Sequence, residues 1–439
     1  MKIAKYIAYS VTLISILCMY SWMVYHVSTG GTKLNPIKQP LLKFAAFPQH
    51  VQKILSSPEV TNIPESYLPA DENFVPVNHL TYDLFGLNSF WNNATDQWEM
   101  KLFNFKDDAV IHTWYYTKSN YVKNRRQFPN CPPKHLALLP DKGLLGRLTQ
   151  SPNLFRMDSS SNIIWHNQEM EYHHALNFDA DSNVWACASN ILNEDVFTGG
   201  LVKNLDDQLV SYSENFIVKV DIETGEILIK KGVGQILLDN HLDGVLYSGE
   251  MYDPLHINDI QPALSDTKFW QKGDLFISIR NKSLIIHYRP SNNKVIELIR
   301  GPFLNQHDVT ILSDHEISIF NNNYISNHGF DTKDDYMEAD SLNASEILVY
   351  NFEDQTYSKL LEKQFLVEKI MSYGQGLAGP ISNGDWFVEE HNSGVHYVIN
   401  EDEIVLKKVF YTADSTYIFL PNWMRTYEEL PFTSKYSPK

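Results

Sequence analysis

The sequence predicts an all-β fold, a six-bladed β-propeller preceded by a single N-terminal transmembrane helix and a Pro-rich stalk. Three observations point there. Short β-rich runs recur from about residue 80 onward, each bounded by Gly, Asn, Asp or Ser. His-containing loops at His256 and His307 stand 51 positions apart and begin similar units of about four strands. Ahead of them lies one long uncharged run, Tyr6–Tyr25, behind Lys2 and Lys5. A pair of packed β-sandwiches is the alternative architecture.

The run YIAYSVTLISILCMYSWMVY is long enough to cross a hydrocarbon core of ~30 Å. Tyr20, Trp22 and Tyr25 crowd its far end, as interfacial aromatics do, and the lysines favour a cytoplasmic N-terminus. Residues 1–27 therefore read as a membrane anchor, with the remainder extracytoplasmic, periplasmic if the source is bacterial. A cleaved signal peptide is the rival, although no A-x-A site follows. Residues 28–79 carry seven of the chain's 20 prolines, a density that prevents long helices and central strands. They read as a stalk, with one short helix at His50–Leu55. Residues 80–425 form the propeller and residues 426–439 a tail.

Within the propeller the runs include Ala109–Tyr116, Asn162–Asn167, Asn215–Asp221, Glu226–Gly232, Asp274–Arg280, Ser283–Arg289, Lys294–Arg300, Glu316–Asn322, Glu346–Phe352 and Asp385–His391. The turn Ile222-Glu223-Thr224-Gly225 reads as a hairpin loop with Gly where positive φ is wanted. Aromatics at 13% suit strands.

Composition excludes several classes of function. With 36 Lys+Arg against 53 Asp+Glu, the net charge of −17 disfavours nucleic-acid binding. Three cysteines supply neither a disulfide scaffold nor a Cys-rich zinc site, and Cys131 and Cys187 read equally as a pair or as free thiols. No P-loop and no G-x-S-x-G elbow is present.

Three loops place histidine beside other polar residues at the starts of inner strands. They hold His173 and His174; His256, Asn258 and Asp259; and Gln306, His307 and Asp308, while Arg280 ends the strand LFISIR. In a propeller such positions converge on the central channel. Several histidines and one arginine suit an oxyanion such as a sulfate or phosphate ester, and histidine can attack such a group. A metal is the second answer, against which no H-E-x-x-H or H-x-H spacing occurs. On a regular strand, adjacent His173 and His174 point to opposite faces.

The segment GPFLNQHDVTILSDHEISIFNNN (Gly301–Asn323) resembles the Q-H-D…S-(L)-F-D-N stretch of arylsulfotransferases. DPLHINDIQP with DLFISIRNKSLIIHY is similar to that family's D-x-x-H-x-N loop and S-x-R strand, and EYHHALNFDADSNVWACAS to its H-H element. AVIHTW, FRMDSSSNIIWHN and GPISNGDWFVEEHNSG extend the likeness over roughly residues 100–395. The resemblance implies a six-bladed propeller without a cofactor. It implies transfer of a sulfuryl group from a phenolic sulfate ester to a phenol, independent of a nucleotide sulfate donor, through a sulfohistidine. His307 maps to the nucleophile, and His256, Arg280 and His174 to groups that bind the sulfuryl oxygens and assist the departing phenolate. Asn258, Gln306 and His173 are substrate-binding candidates. The partners expected are an aryl sulfate donor, a phenolic acceptor and the membrane. The sequence departs from the family at Ala175, where an acidic residue is usual, at ELIRGPF (Glu297–Phe303), and in the acidic loop Tyr324–Ser345. Two alternatives stay open: a non-catalytic propeller that binds a ligand or partner at the membrane surface, and another propeller enzyme, whether metal-dependent oxidoreductase, hydrolase or lyase.

Overall fold

A computed structural model of the 439-residue chain describes residues 2–28, 34, 38–45, 67–121, 128–149, 151–190, 200–203, 209–212, 214–249, 253–324 and 344–432. It divides into two units, residues 1–63 and 64–439. In the first, the uncharged run is helical over Lys2–Ser28, and a second helix spans Lys38–Ala45. Tyr20 and Phe44 pack edge to face, ring centroids 5.7 Å apart. Among the described residues no helix is long and apolar enough to cross a membrane, so the expected span gains no support from the structure. The helix expected at His50–Leu55 lies outside the described residues.

The second unit is a six-bladed propeller. Its six blades each hold four antiparallel strands, and the sixth carries a fifth. The innermost strands are Arg425–Tyr427, Pro133–Leu138, Glu171–Phe178, Ile257–Pro262, His307–Ile311 and Leu377–Pro380, from blade 1 to blade 6. Blade 1 joins the two ends of the unit. Arg425–Tyr427 pairs with Phe85–Asn92, so the last strand among the described residues closes the ring onto the first long hairpin. Closure of this kind leaves no open sheet edge at the seam.

Alternation within the blades explains the packing. In Leu275–Ile279 every residue is buried, because a central strand faces a neighbouring blade on both sides. Apolar clusters fill the gaps between blades. One unites Cys187 and Ile217 of blade 3 with Ile257, Ile277 and Ile286 of blade 4. Another joins Phe276 and Ile285 of blade 4 to Ile319 and Leu348 of blade 5. Cys131 and Cys187 are both buried, and no disulfide joins them.

The hairpin expected at residues 222–225 forms. Asp221 Oδ1 accepts the Glu223 and Thr224 amides, and Gly225 has φ +76°. A Cβ there would meet the Trp165 ring at 2.6 Å, so both the turn and the close approach require Gly.

Two differences from the sequence reading concern boundaries and insertions. Tyr67–Pro69 and Val77–Asn78, expected within the stalk, are strands paired with Tyr417–Phe419 and Ile404–Lys408. Short helices at Val233–Asp239, Asp243–Tyr247 and Glu362–Glu368 interrupt the repeat. Together with the extra hairpin Gly200–Lys203/Leu209–Tyr212 they make the spacing of the blades uneven.

Candidate active site

Each of the six innermost strands has, within it or up to two residues before it, a non-glycine residue in the left-handed region. These are Trp423, His135, His174, His256, Asp308 and Gln375, with φ between +46° and +58°. Side chains other than Gly, Asn and Asp seldom adopt this conformation, and its repetition marks a designed feature. Four of the strands also carry a register shift there, at Lys134/Ala137, His173/Leu176, Ile257/Asp259 and His307/Val309. Such bulges re-aim side chains.

The bulge in blade 3 corrects one expectation. His173 and His174 do not point apart. The left-handed turn at His174 brings the two Nδ1 atoms to 2.9 Å.

The structure brings the remaining predicted histidines together. The His174 ring lies 5.2 Å from that of His256 and 5.8 Å from that of His307, centroid to centroid. Arg280 opens a turn, Arg280–Lys282, just past its strand, and its guanidinium bears electrostatically on His307. It donates to Asn281 Oδ1 at 2.8 Å and to the Tyr324 hydroxyl. Tyr324 in turn packs edge to face with Tyr373 at 5.6 Å. The acidic loop that follows lies, over residues 325–343, outside the described residues.

The two other substrate-binding candidates are committed elsewhere. Gln306 is fully buried and donates through Nε2 to Ser278 Oγ at 3.0 Å and the Leu284 carbonyl at 3.1 Å, stapling blade 5 to blade 4. Asn258, equally buried, donates to the Gln306 carbonyl at 2.7 Å and so supports the residue preceding His307.

Several residues that sequence reasoning missed complete the site. Asn322 Oδ1 lies 2.7 Å from His307 Nδ1, and the Gln375 backbone amide donates to His307 Nε2 at 3.2 Å. Asp253 Oδ2 lies 2.6 Å from His256 Nδ1. Arg147, 4% exposed, donates from Nε to the His174 carbonyl at 2.7 Å. Trp423 stands its indole against His135, His174 and His307, with centroid separations of 5.4, 5.7 and 6.1 Å. Around Gln375, Lys134 Nζ donates to Oε1 at 2.8 Å and His391 Nε2 lies 3.0 Å from Nε2.

This environment is buried around His307 and half-buried at His173, His174, His256 and Arg280. Burial pushes His307 down to about 3, with Arg280 and His256 acting in the same direction and the Asn322 bond opposing them. Burial also takes His173 down to about 3, with help from His256 and Arg147, and it drives His174 well below the usual imidazole range. Burial lowers Arg147 to about 9. These imidazoles are therefore neutral at ordinary pH, and an anion entering among them meets Arg280 and Arg147.

A second set of groups holds the blades in register beneath the site. Asp259 Oδ2 accepts the Val309 amide at 2.6 Å, two residues past His307. Asp308 Oδ2 accepts the Ala378 amide at 2.9 Å, and Glu389 accepts those of Trp423 and Met424 at 3.0 and 2.7 Å. His135 Nδ1 accepts the Leu176 amide at 2.8 Å. In each case a side chain of one blade caps the innermost strand of the next. Asp308 is thus spent on blade 6 and does not orient His307. Among the described residues no group of three or more His, Cys, Asp or Glu is arranged to hold a metal ion.

Comparison with known proteins points to one family. The sequence pattern of a family described as arylsulfotransferase (ASST) matches residues 135–410, well over half of the chain. No curated protein matches the chain. Among solved structures, a protein of unknown function from Bacteroides caccae is 11% identical with a TM-score of 0.46, over 74% of this chain and 93% of its own. Virginiamycin B lyase from Staphylococcus aureus is 10% identical with a TM-score of 0.36, over 67% of this chain and 83% of its own. A streptogramin B lyase is 10% identical with a TM-score of 0.37, over 80% of this chain and 95% of its own.

Proposed function

Since the chain belongs to the arylsulfotransferase family, we propose that it transfers a sulfuryl group from a phenolic sulfate ester to a phenol, with His307 as the transient carrier. The observation that carries this reading is the meeting of three histidines beside Arg280, with the His174 ring 5.2 Å from that of His256 and 5.8 Å from that of His307. A neutral, desolvated imidazole is a nucleophile, and fixed donors around it suit charge that grows on departing and non-bridging oxygens. His307 attacks sulfur in line with the departing phenolate. Arg280 holds the non-bridging oxygens. His256 and His174 receive the charge that appears on the phenol oxygen. A second phenol then takes the sulfuryl group from His307.

This scheme predicts ping-pong kinetics. Mixing the purified protein with p-nitrophenyl sulfate and phenol tests it. The reading expects release of p-nitrophenolate that accelerates with added phenol, together with formation of phenyl sulfate. No release under any acceptor concentration would leave a binding module.

We also propose, on the sequence alone, an extracytoplasmic propeller tethered through residues 1–27. The support is the uncharged run Tyr6–Tyr25 behind Lys2 and Lys5. Protease added to intact cells or spheroplasts should digest the propeller; protection would refute the orientation.

A further inference from the structure

His307 and His256 are each gripped at Nδ1, but by chemically different partners. The partner of His307 is an amide, and that amide cannot be turned round. Asn322 Nδ2 donates to the Ser372 carbonyl at 2.8 Å and to the Gln375 carbonyl at 2.9 Å, and the residue is fully buried. Its Oδ1 is thereby fixed as an acceptor toward His307 Nδ1, and the Asn305 carbonyl faces the same nitrogen at 3.2 Å. Two acceptors on one side require the proton there, so Nδ1 is the N–H. Nε2 then carries the lone pair, which agrees with the Gln375 amide donating to it.

The partner of His256 is a carboxylate. Asp253 is itself braced by Asn215 Nδ2 at 3.2 Å. Burial would raise its carboxyl, yet the bond to His256, that residue's charge, the Asn215 bond and the charge of His173 together outweigh burial and leave it below the usual range. An ionised carboxylate stabilises an imidazolium; a neutral amide does much less.

We infer that Asn322 and Asp253 are positioning residues that divide the work of the two histidines: Asn322 makes His307 a nucleophile through Nε2, and Asp253 makes His256 the proton donor to the departing phenol. This division rests on the sulfuryl-transfer reading. In the first half-reaction the Nε2 lone pair forms the N–S bond. The S–O bond to the phenol breaks, and its electron pair leaves with the phenol oxygen. The proton on His256 Nε2 passes to that oxygen. In the second half-reaction His256 takes the acceptor phenol's proton, the phenol oxygen attacks sulfur, and the N–S electrons return to His307. The groups facing His307 are Arg280, His256 and His174, the Trp423 ring and, across Gln375, Lys134 and His391. None of them is a carboxylate, so nothing in this set favours the imidazolium.

Two readouts test the division. The first is nitrogen NMR of the full-length protein with labelled histidine, which reports the tautomer of His307 directly and needs no variant. The expected spectrum is a neutral ring protonated at Nδ1 that persists well below pH 6; a ring protonated at Nε2 would overturn the role of Asn322. In Asn322→Asp the ring should charge at higher pH and the pH profile of transfer should move with it. An unchanged profile in that folded variant would count against the inference. The second readout is leaving-group dependence. General acids typically contribute ~10²–10⁴-fold. Asp253→Asn should therefore slow single-turnover reaction with phenyl sulfate about a hundredfold or more, while p-nitrophenyl sulfate, whose phenolate leaves without a proton, slows less than about tenfold. Equal losses with both esters would make Asp253 merely structural. If the unaltered protein reacts with no aryl sulfate at all, the proposed function and the role of Asp253 fall together, while the spectrum still decides the role of Asn322.

Discussion

Four residues that sequence motifs single out, His174, His256, Arg280 and His307, meet at one site: His256 and His307 at the starts of innermost strands, His174 at the bulge of another, and Arg280 just past the second strand of blade 4. Their partners were much less legible. Asn322 lies in FNNN (Phe320–Asn323), where three consecutive asparagines offer no means of choosing among them. Only the fold shows that Asn321 caps Leu304 while Asn322 reaches His307. Trp423 comes from the far end of the chain and carries no local signal. The residue-scale predictions concern turnover. His307→Asn should abolish transfer, whereas the protein should remain folded by circular dichroism. Arg280→Gln removes a donor aimed where charge grows and should cost ~10²–10³ in kcat, read from steady-state kinetics with p-nitrophenyl sulfate. A loss confined to KM would mean that Arg280 binds the ground state and the transition state equally.

At the scale of strands, the blade hairpins were readable from alternation and turn residues, and Glu316–Asn321 and Glu346–Asn351 fall within the runs that sequence patterning marks. The bulges were not readable. A register shift changes which face a side chain takes, and no residue type announces it: His174 is left-handed where Asn or Gly would be ordinary. The expectation that His173 and His174 diverge failed for this reason. The caps between blades give a stability prediction. Asp259 accepts the amides of Ile260 and Val309 and the side chain of Asn177. Asp259→Ala would strand buried donors, at a cost of about 1–3 kcal/mol for each unsatisfied group. Urea unfolding should show a lower midpoint, and transfer activity should fall as well, since Val309 follows His307 by two residues. An unchanged midpoint would show that the strand holds its register without the cap.

On the scale of the whole molecule, the repeat announced the propeller, but insertions between blades hid its exact spacing, and the closing strand Arg425–Tyr427 lies partly in what reads as a tail. Acid should unfold this domain cooperatively. His173, His307, His391 and His396 are pushed by burial to about 3, and His135 and His174 also lie well below 6.5. The unfolded chain binds these protons from pH 6.5 downward and the native state does not, so stability falls as pH falls through that window. Glu389 and Glu390, raised by burial to about 7, act oppositely between their unfolded value of 4.5 and pH 7, and Asp259 and Asp308, also raised by burial, act with them. Below about pH 4 they are protonated in both states and their offset ends. Melting temperature should therefore drop steeply between pH 4 and pH 3, with net proton uptake on unfolding. A flat profile there would mean that the histidines are hydrated and charged in the native state.

The most direct measurement is a chemical one. The full-length protein is exposed to an aryl sulfate without acceptor, quenched under alkaline conditions, digested and analysed by mass spectrometry. The account predicts a sulfuryl adduct on the peptide containing His307, lost when phenol is added before quenching. An adduct on another residue, or turnover without any adduct, would contradict it.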